Sequence, residues 1–133
     1  MRMILPVLFA LGLGAPAFGA TIYDCTFPEG SGGGWTAGRV VVAHDPGEAE
    51  ATVNAGVIVH FVGSPIKARV VKESDAQLYL SFELKIVDSA KQYTRMGFKL
   101  NILQGGARAT FSAQPLSYDN TWRSEGKCKK GKG

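Results

Sequence analysis

The chain contains two cysteines, Cys25 and Cys128, which lie near its two ends. Cys25 follows closely on a segment with the features of an export signal, and export places a protein where disulfides form. Two cysteines allow one intramolecular pairing, so we expect the first and last parts of the domain to be joined. Closing a loop of roughly 100 residues adds about 4 to 5 kcal/mol in the chain-entropy model, which is comparable to the stability of a small domain.

Residues 1–19 are predicted to be a secretory signal peptide. Arg2 supplies the positive N-terminal region, and an apolar run follows over residues 3–13. Small residues precede two candidate cleavage points, after Ala17 and after Gly19. The apolar run is too short to span a membrane. We therefore expect a periplasmic or secreted protein.

The rest of the chain is long enough for one domain, predicted over residues 20–126. The formal net charge is +4, or +3 without Arg2, and four lysines crowd a basic C-terminal tail over 127–133 that carries Cys128. Such a tail is typically a solvated, disordered end, although it is also suited to anionic lipid or an acidic partner. Nucleic acid is not expected, because the protein is exported and the tail lacks interleaved aromatic residues.

Apolar and polar residues alternate almost throughout the domain, which is typical of strands with one buried face. Turn sequences such as Asp45-Pro46-Gly47 and Gln104-Gly105-Gly106 separate the alternating runs. We predict about nine strands: 21–27, 35–44, 49–54, 56–62, 66–72, 77–88, 92–103, 107–113 and 121–128.

Short links between these strands predict antiparallel neighbours, and a long meander must protect its edges. The cysteine pair would bring the first strand near the last. We therefore predict an all-β fold, a small antiparallel up-and-down β-barrel of about eight or nine strands, with a β-sandwich as the alternative. An outer-membrane barrel is not expected, because charged residues occupy the outward face. They are Lys67, Arg69, Glu83, Lys85, Arg95 and Lys99.

No catalytic constellation is recognisable. His44 and His60 are the only histidines, and their spacing to Asp24 or Glu48 matches no metal-ligand pattern. A hydrolase would need one of these imidazoles to meet a carboxylate and a hydroxyl in a cleft. We predict no enzymatic activity, no metal and no cofactor.

The amphipathic aromatic residues are the better candidates for a binding role. The candidate binding residues are Trp35, Tyr79, Tyr93, Trp122 and Arg123. For the two tryptophans and the arginine, the alternative to binding is a structural role. Trp35 and Trp122 would cap the two ends of the core, and Arg123 would close one end by stacking on a ring. The glycine-rich loop 28–34 is either a plain connector or a binding loop.

Two short motifs resemble known families of barrels. Gly33-Gly34-Trp35 is similar to the Gly-x-Trp signature of lipocalin- and avidin-like barrels, and that resemblance implies an arginine, here Arg123, packed against the tryptophan. Tyr23-Asp24-Cys25 together with Cys128 looks like the cysteine framework of periplasmic C-type lysozyme inhibitors. The inhibitory Ser-Gly-x-x-Tyr loop of that family has no match, so its activity is not carried over.

We therefore expect an exported, non-catalytic and monomeric binding module that engages a protein partner in the cell envelope, with enzyme inhibition as one form of that activity. The alternative is a carrier of a small apolar ligand in the barrel interior. Bulky inward residues such as Phe82, Phe98 and Leu100 argue against the carrier, because they can fill a small barrel.

Overall fold

The computed structural model describes residues 19–87, 90–116 and 119–133. Apart from Gly19, the predicted signal peptide lies outside the described residues. The described part forms eight antiparallel strands that close into one barrel in chain order. The strands are β1 (Thr21–Phe27), β2 (Gly38–His44), β3 (Glu50–Ala55), β4 (Ile66–Glu73), β5 (Gln77–Val87), β6 (Tyr93–Leu103), β7 (Arg108–Pro115) and β8 (Trp122–Lys132). The predicted barrel is confirmed, and the sandwich alternative is not.

Closure occurs between the first and last strands. β1 and β8 pair antiparallel, and Cys25 lies directly opposite Cys128. The two form the predicted disulfide. Cys25 is fully buried. The disulfide therefore ties the closing seam of the barrel from the inside.

The predicted disordered tail is wrong for residues 127–132. β8 continues to Lys132, and its backbone pairs with β1 as far as the Thr21–Lys132 partners. The lysine side chains remain exposed. Pairing with β1 satisfies the backbone hydrogen bonds whatever the side-chain charge, so lysine content alone does not end the strand.

Predicted strand 56–62 is also wrong, because these residues contain a short helix, α1 (Gly56–Phe61). The segment is apolar at nearly every position, so it lacks the period that separates strand from helix. β3 ends at Ala55 and pairs directly with β4, which leaves no place between them for another strand. α1 instead buries Ile58 against the core.

Phenylalanines fill the middle of the barrel. The rings of Phe82 and Phe98 stack with centroids 5.0 Å apart, and Phe111 lies 5.8 Å from Phe98 and 6.3 Å from Phe82. Phe27 adds a fourth ring, 5.6 Å from Phe111. Leucines and valines on the same inward faces complete this core. Burial of this apolar cluster is the main stabilising contribution to the fold.

The two ends of the barrel differ. At the open end, β1 begins, β8 finishes, and the short connections 45–49, 74–76 and 104–107 join neighbouring strands. At the capped end, two longer connections pack against each other through Trp35 and Phe61. One contains a 3₁₀ turn, Ser31–Gly34, and the other contains α1.

We predict that removing the disulfide lowers the free energy of unfolding by about 2 to 5 kcal/mol, because the cross-link closes a loop of 103 residues. Urea unfolding of the wild type, with and without a reducing agent, measures this difference without altering a side chain. The Cys25→Ala/Cys128→Ala variant should then unfold at or below the midpoint of the reduced wild type. Equal midpoints for oxidised and reduced protein would contradict the prediction.

Candidate functional site

Two tryptophans meet at the capped end. Trp35 follows the 3₁₀ turn and Trp122 begins β8, and their ring centroids lie 6.1 Å apart. Phe61 of α1 stacks on Trp35 at 5.9 Å with an interplanar angle of 15°. The alternative in which the tryptophans cap opposite ends is therefore wrong. Together with α1, Trp35, Phe61 and Trp122 form what we call the aromatic cap.

Hydroxyl groups anchor the glycine-rich loop beneath this cap. Ser31 donates to the Pro28 carbonyl at 2.7 Å, which uses its only proton. Ser124 must then donate to Ser31 at 2.7 Å, and Thr36 to Ser124 at 2.6 Å. Thr36 and Ser124 are buried, so these hydrogen bonds satisfy polar groups that would otherwise be costly. These hydrogen bonds tie the loop to Thr36 and to β8.

Gly33 packs directly on a tryptophan ring. A Cβ atom at this position would lie 2.8 Å from the Cδ1 and Nε1 atoms of Trp122. Its φ of +64° is also in the left-handed region that favours glycine. The position therefore requires glycine for both its backbone conformation and its contact with Trp122.

The outer side of α1 presents apolar residues to solvent. Val59 is 57 % exposed and Val62, which follows the helix, is 48 % exposed. His60 is exposed beside them and meets the Phe61 ring edge-on, with centroids 4.5 Å apart. A shallow depression of about 300 Å³ runs between this helix and Gly33, Gly34 and Trp35. The aromatic cap is thus an apolar, partly concave surface.

The other three predicted binding residues lie apart from this cap, on the outer wall. Tyr79 faces outward on β5, opposite Asn101 of β6. Tyr93 is 60 % exposed, and the ammonium group of Lys85 lies 4.0 Å from its ring centroid.

Arg123 also faces outward, and its guanidinium lies 3.6 Å from the carboxylate of Glu125. It follows Trp122, which packs against the core, and precedes buried Ser124, so alternation along β8 directs its side chain to the outer wall. This is not the packing against Trp35 that the lipocalin-like resemblance implies. The predicted set therefore does not form one site.

The open end contains a second group of side chains that sequence reasoning missed. A cavity of about 210 Å³ is lined by inward residues of several strands, among them Thr21, Tyr23, His44, Glu73 and Lys130. Lys130 shares its parity with Cys128, which lies opposite buried Cys25. Alternation from Cys128 would have predicted that Lys130 faces inward, but we had assigned these lysines to a disordered tail instead of a strand.

Polar contacts hold two of these side chains in place. His44 is only 4 % exposed, and its Nε2 lies 2.9 Å from the carbonyl oxygen of Glu48, so Nε2 carries the donated proton. The carboxylate of Glu73 accepts from the backbone N–H of Gly47 at 3.1 and 3.2 Å. It also lies 3.8 Å from the His44 ring.

Partial burial, and then the carboxylate of Glu73, raise the pKa of the Tyr23 hydroxyl above its usual value. The phenol is therefore a neutral hydrogen-bonding group in the cavity near neutral pH.

The two histidines cannot serve one site, since His44 lies at the open end and His60 on α1 at the capped end. Within the described ranges, no group of three or more His, Cys, Asp or Glu side chains is arranged to hold a metal ion. No helix among the described residues is long and apolar enough to cross a membrane.

Comparison of the chain with protein-family models, with curated proteins and with solved structures finds no match. The described residues form a closed eight-stranded antiparallel barrel with an aromatic cap at one end and a polar cavity at the other.

We predict that Gly33→Ala destabilises the protein more than Gly34→Ala. Both glycines have positive φ, which costs a residue with a side chain about 1 to 2 kcal/mol, but only Gly33 would place its Cβ against Trp122. Urea unfolding and tryptophan fluorescence measure the difference. A matched loss of stability, with unchanged emission in both variants, would show that the Trp122 contact does not constrain the loop.

Proposed function

We propose that this protein is an exported, non-catalytic binding module that engages a protein partner in the cell envelope through the aromatic cap. The observation that carries the proposal is the exposure of Val59 and Val62 on the segment whose Phe61 ring stacks on Trp35. Apolar side chains grouped around half-buried aromatic rings are typical of the centre of a protein–protein interface.

The rigidity of this surface supports the same function. The hydroxyl chain from Thr36 to Pro28 and the contact of Gly33 with Trp122 hold the loop, while buried Ile58 holds α1. A surface that is already ordered loses little conformational freedom on association, so more of its contact energy appears as affinity. Enzyme inhibition is one form of this function, because a rigid helix can occupy a partner's cleft.

Two features support an exported location. The first residues have the charged, apolar and small-residue regions of a secretory signal. The Cys25–Cys128 disulfide is typical of oxidising compartments such as the periplasm or the extracellular space.

The alternative function, a carrier of a small apolar ligand inside the barrel, has less support. The rings of Phe82, Phe98 and Phe111 occupy the middle of the barrel at van der Waals separations. An apolar ligand of ordinary size needs a cavity of about 300 Å³ or more, which this packing would have to open.

We predict that the Val59→Gln/Val62→Gln variant binds its partner at least about tenfold more weakly than the wild type, because it loses two apolar contacts at the centre of the interface. A partner would first be cross-linked in the source cell envelope from a photoreactive residue at position 60, then purified. Its dissociation constant would be measured by titration calorimetry against the wild type and each variant.

The matched control is Val87→Gln, because Val87 is 53 % exposed on the outer wall of β5. This substitution should leave the dissociation constant unchanged. Equal weakening by Val87→Gln, or no weakening by Val59→Gln/Val62→Gln, would refute binding through the aromatic cap.

A further inference from the structure

The cavity at the open end has a charged group on each of two opposite walls. Lys130 belongs to β8 and Glu73 to β4. In the closed order β1 to β8, these strands are four positions apart in either direction around the barrel. Four positions in an eight-stranded barrel is half of its circumference, so Lys130 and Glu73 belong to opposite walls of the mouth.

These two charges do not neutralise each other. In the described part of the chain, the ion pairs within 4.0 Å do not include Lys130, and Glu73 is within that distance only of the His44 ring. Glu73 accepts hydrogen bonds from Gly47, but a carboxylate has lone pairs for further donors. Asp75 adds a second carboxylate to the lining on the same side, just after β4.

The stem of Lys130 lies close to Gly106 and Tyr23 at the wall of the cavity. A Cβ atom on Gly106 would lie 2.9 Å from the Cδ of Lys130 and 3.1 Å from the Cε1 of Tyr23. Gly106 has a φ of +103° and so cannot carry a side chain without strain. The lysine stem therefore packs beside Tyr23, and the ammonium lies 6.0 Å from the Tyr23 ring centroid.

Between the two charges lie neutral hydrogen-bonding groups and an apolar floor. Thr21 and Tyr23 supply hydroxyl groups, and buried Leu78 and Ile102 close the cavity below. The volume of about 210 Å³ is smaller than the roughly 300 Å³ at which pockets for drug-sized molecules begin. It corresponds to a molecule of amino-acid size.

We propose that the open end is a binding site for a small zwitterion, an amino acid or a molecule of like size, whose carboxylate contacts Lys130 and whose ammonium contacts Glu73 and Asp75. Such a ligand supplies to each wall the charge that the cavity leaves unpaired. Opposite charges on the two walls select for a ligand that has both charged groups. A ligand without a carboxylate leaves Lys130 unpaired, and one without an ammonium leaves Glu73 unpaired. This site does not depend on the aromatic cap at the other end of the barrel.

The test is saturation-transfer NMR on the purified, oxidised protein with an equimolar mixture of the proteinogenic L-amino acids. Titration calorimetry then gives the dissociation constant of the strongest binder, of its amide, which lacks the carboxylate, and of its N-acetyl derivative, which lacks the ammonium. We expect each derivative to bind about tenfold more weakly or worse, since each loses a charge-assisted hydrogen bond.

Two substitutions test the walls separately. Lys130→Met keeps the apolar stem and removes the charge, and Glu73→Gln removes the charge but keeps an oxygen that can accept from Gly47. Each should weaken binding by about tenfold or more. Lys129→Met and Glu50→Gln are the matched controls, because the side chains of Lys129 in β8 and Glu50 in β3 face outward by strand parity. They should bind as the wild type does.

Three outcomes would overturn the proposal: no amino acid binds the wild type, both derivatives bind as well as the parent compound, or Lys130→Met and Glu73→Gln leave affinity unchanged. Circular dichroism and intact mass show whether each variant retains the fold and the disulfide. If Glu73→Gln does not fold, Lys130→Met alone is the test, because Lys130 is exposed on a terminal strand and its substitution should leave the fold intact.

Discussion

The pairing of β1 with β8 is the constraint on which the rest of the structure depends. It removes the free edges of the sheet, and the Cys25–Cys128 disulfide fixes its register from inside the barrel. Strand β8 contributes side chains to both ends of the molecule. Trp122 and Ser124 lie at its start, under the aromatic cap, and Lys130 lies near its finish, in the open cavity. Opening the seam would therefore disturb both surfaces at once.

The different character of the two ends follows from the lengths of their connections. At the capped end, the links 28–37 and 56–65 are long enough to cross the barrel, so they can lay aromatic and apolar residues over the core. At the open end, the links 45–49, 74–76 and 104–107 turn directly into the next strand. They cannot cover the mouth, so the inward residues at the strand ends line a cavity that opens to solvent. Those residues are accordingly polar or charged, as with Thr21, His44, Glu73 and Lys130.

Much of the fold could be predicted from the period of the sequence, because strands such as β5 and β6 alternate cleanly and their inward leucines and phenylalanines form the core. The segment 56–62 could not, since it is apolar at nearly every position. That one error changes the predicted direction of every strand that follows it. In an up-and-down barrel, each strand reverses direction, so an extra strand inverts the direction of every later one. Trp35 lies just before β2, Trp122 begins β8, and both are at the same end, whereas a ninth strand would have placed them at opposite ends.

The strand count also decides what lies beside the open cavity. With eight strands, the first and last are antiparallel, so residues near both chain ends lie together at the open end, where the N–H of Gly133 donates to the carbonyl of Ala20 at 3.0 Å. With nine, they would be parallel, and Lys130 would lie at the far end from Thr21. Tyr23 and Lys130 are cross-strand partners in the closing seam and also line the cavity. Because a molecule bound there contacts both strands of the seam, its binding energy adds to the stability of the closed barrel. The seam that makes the fold possible is thus also one wall of the site.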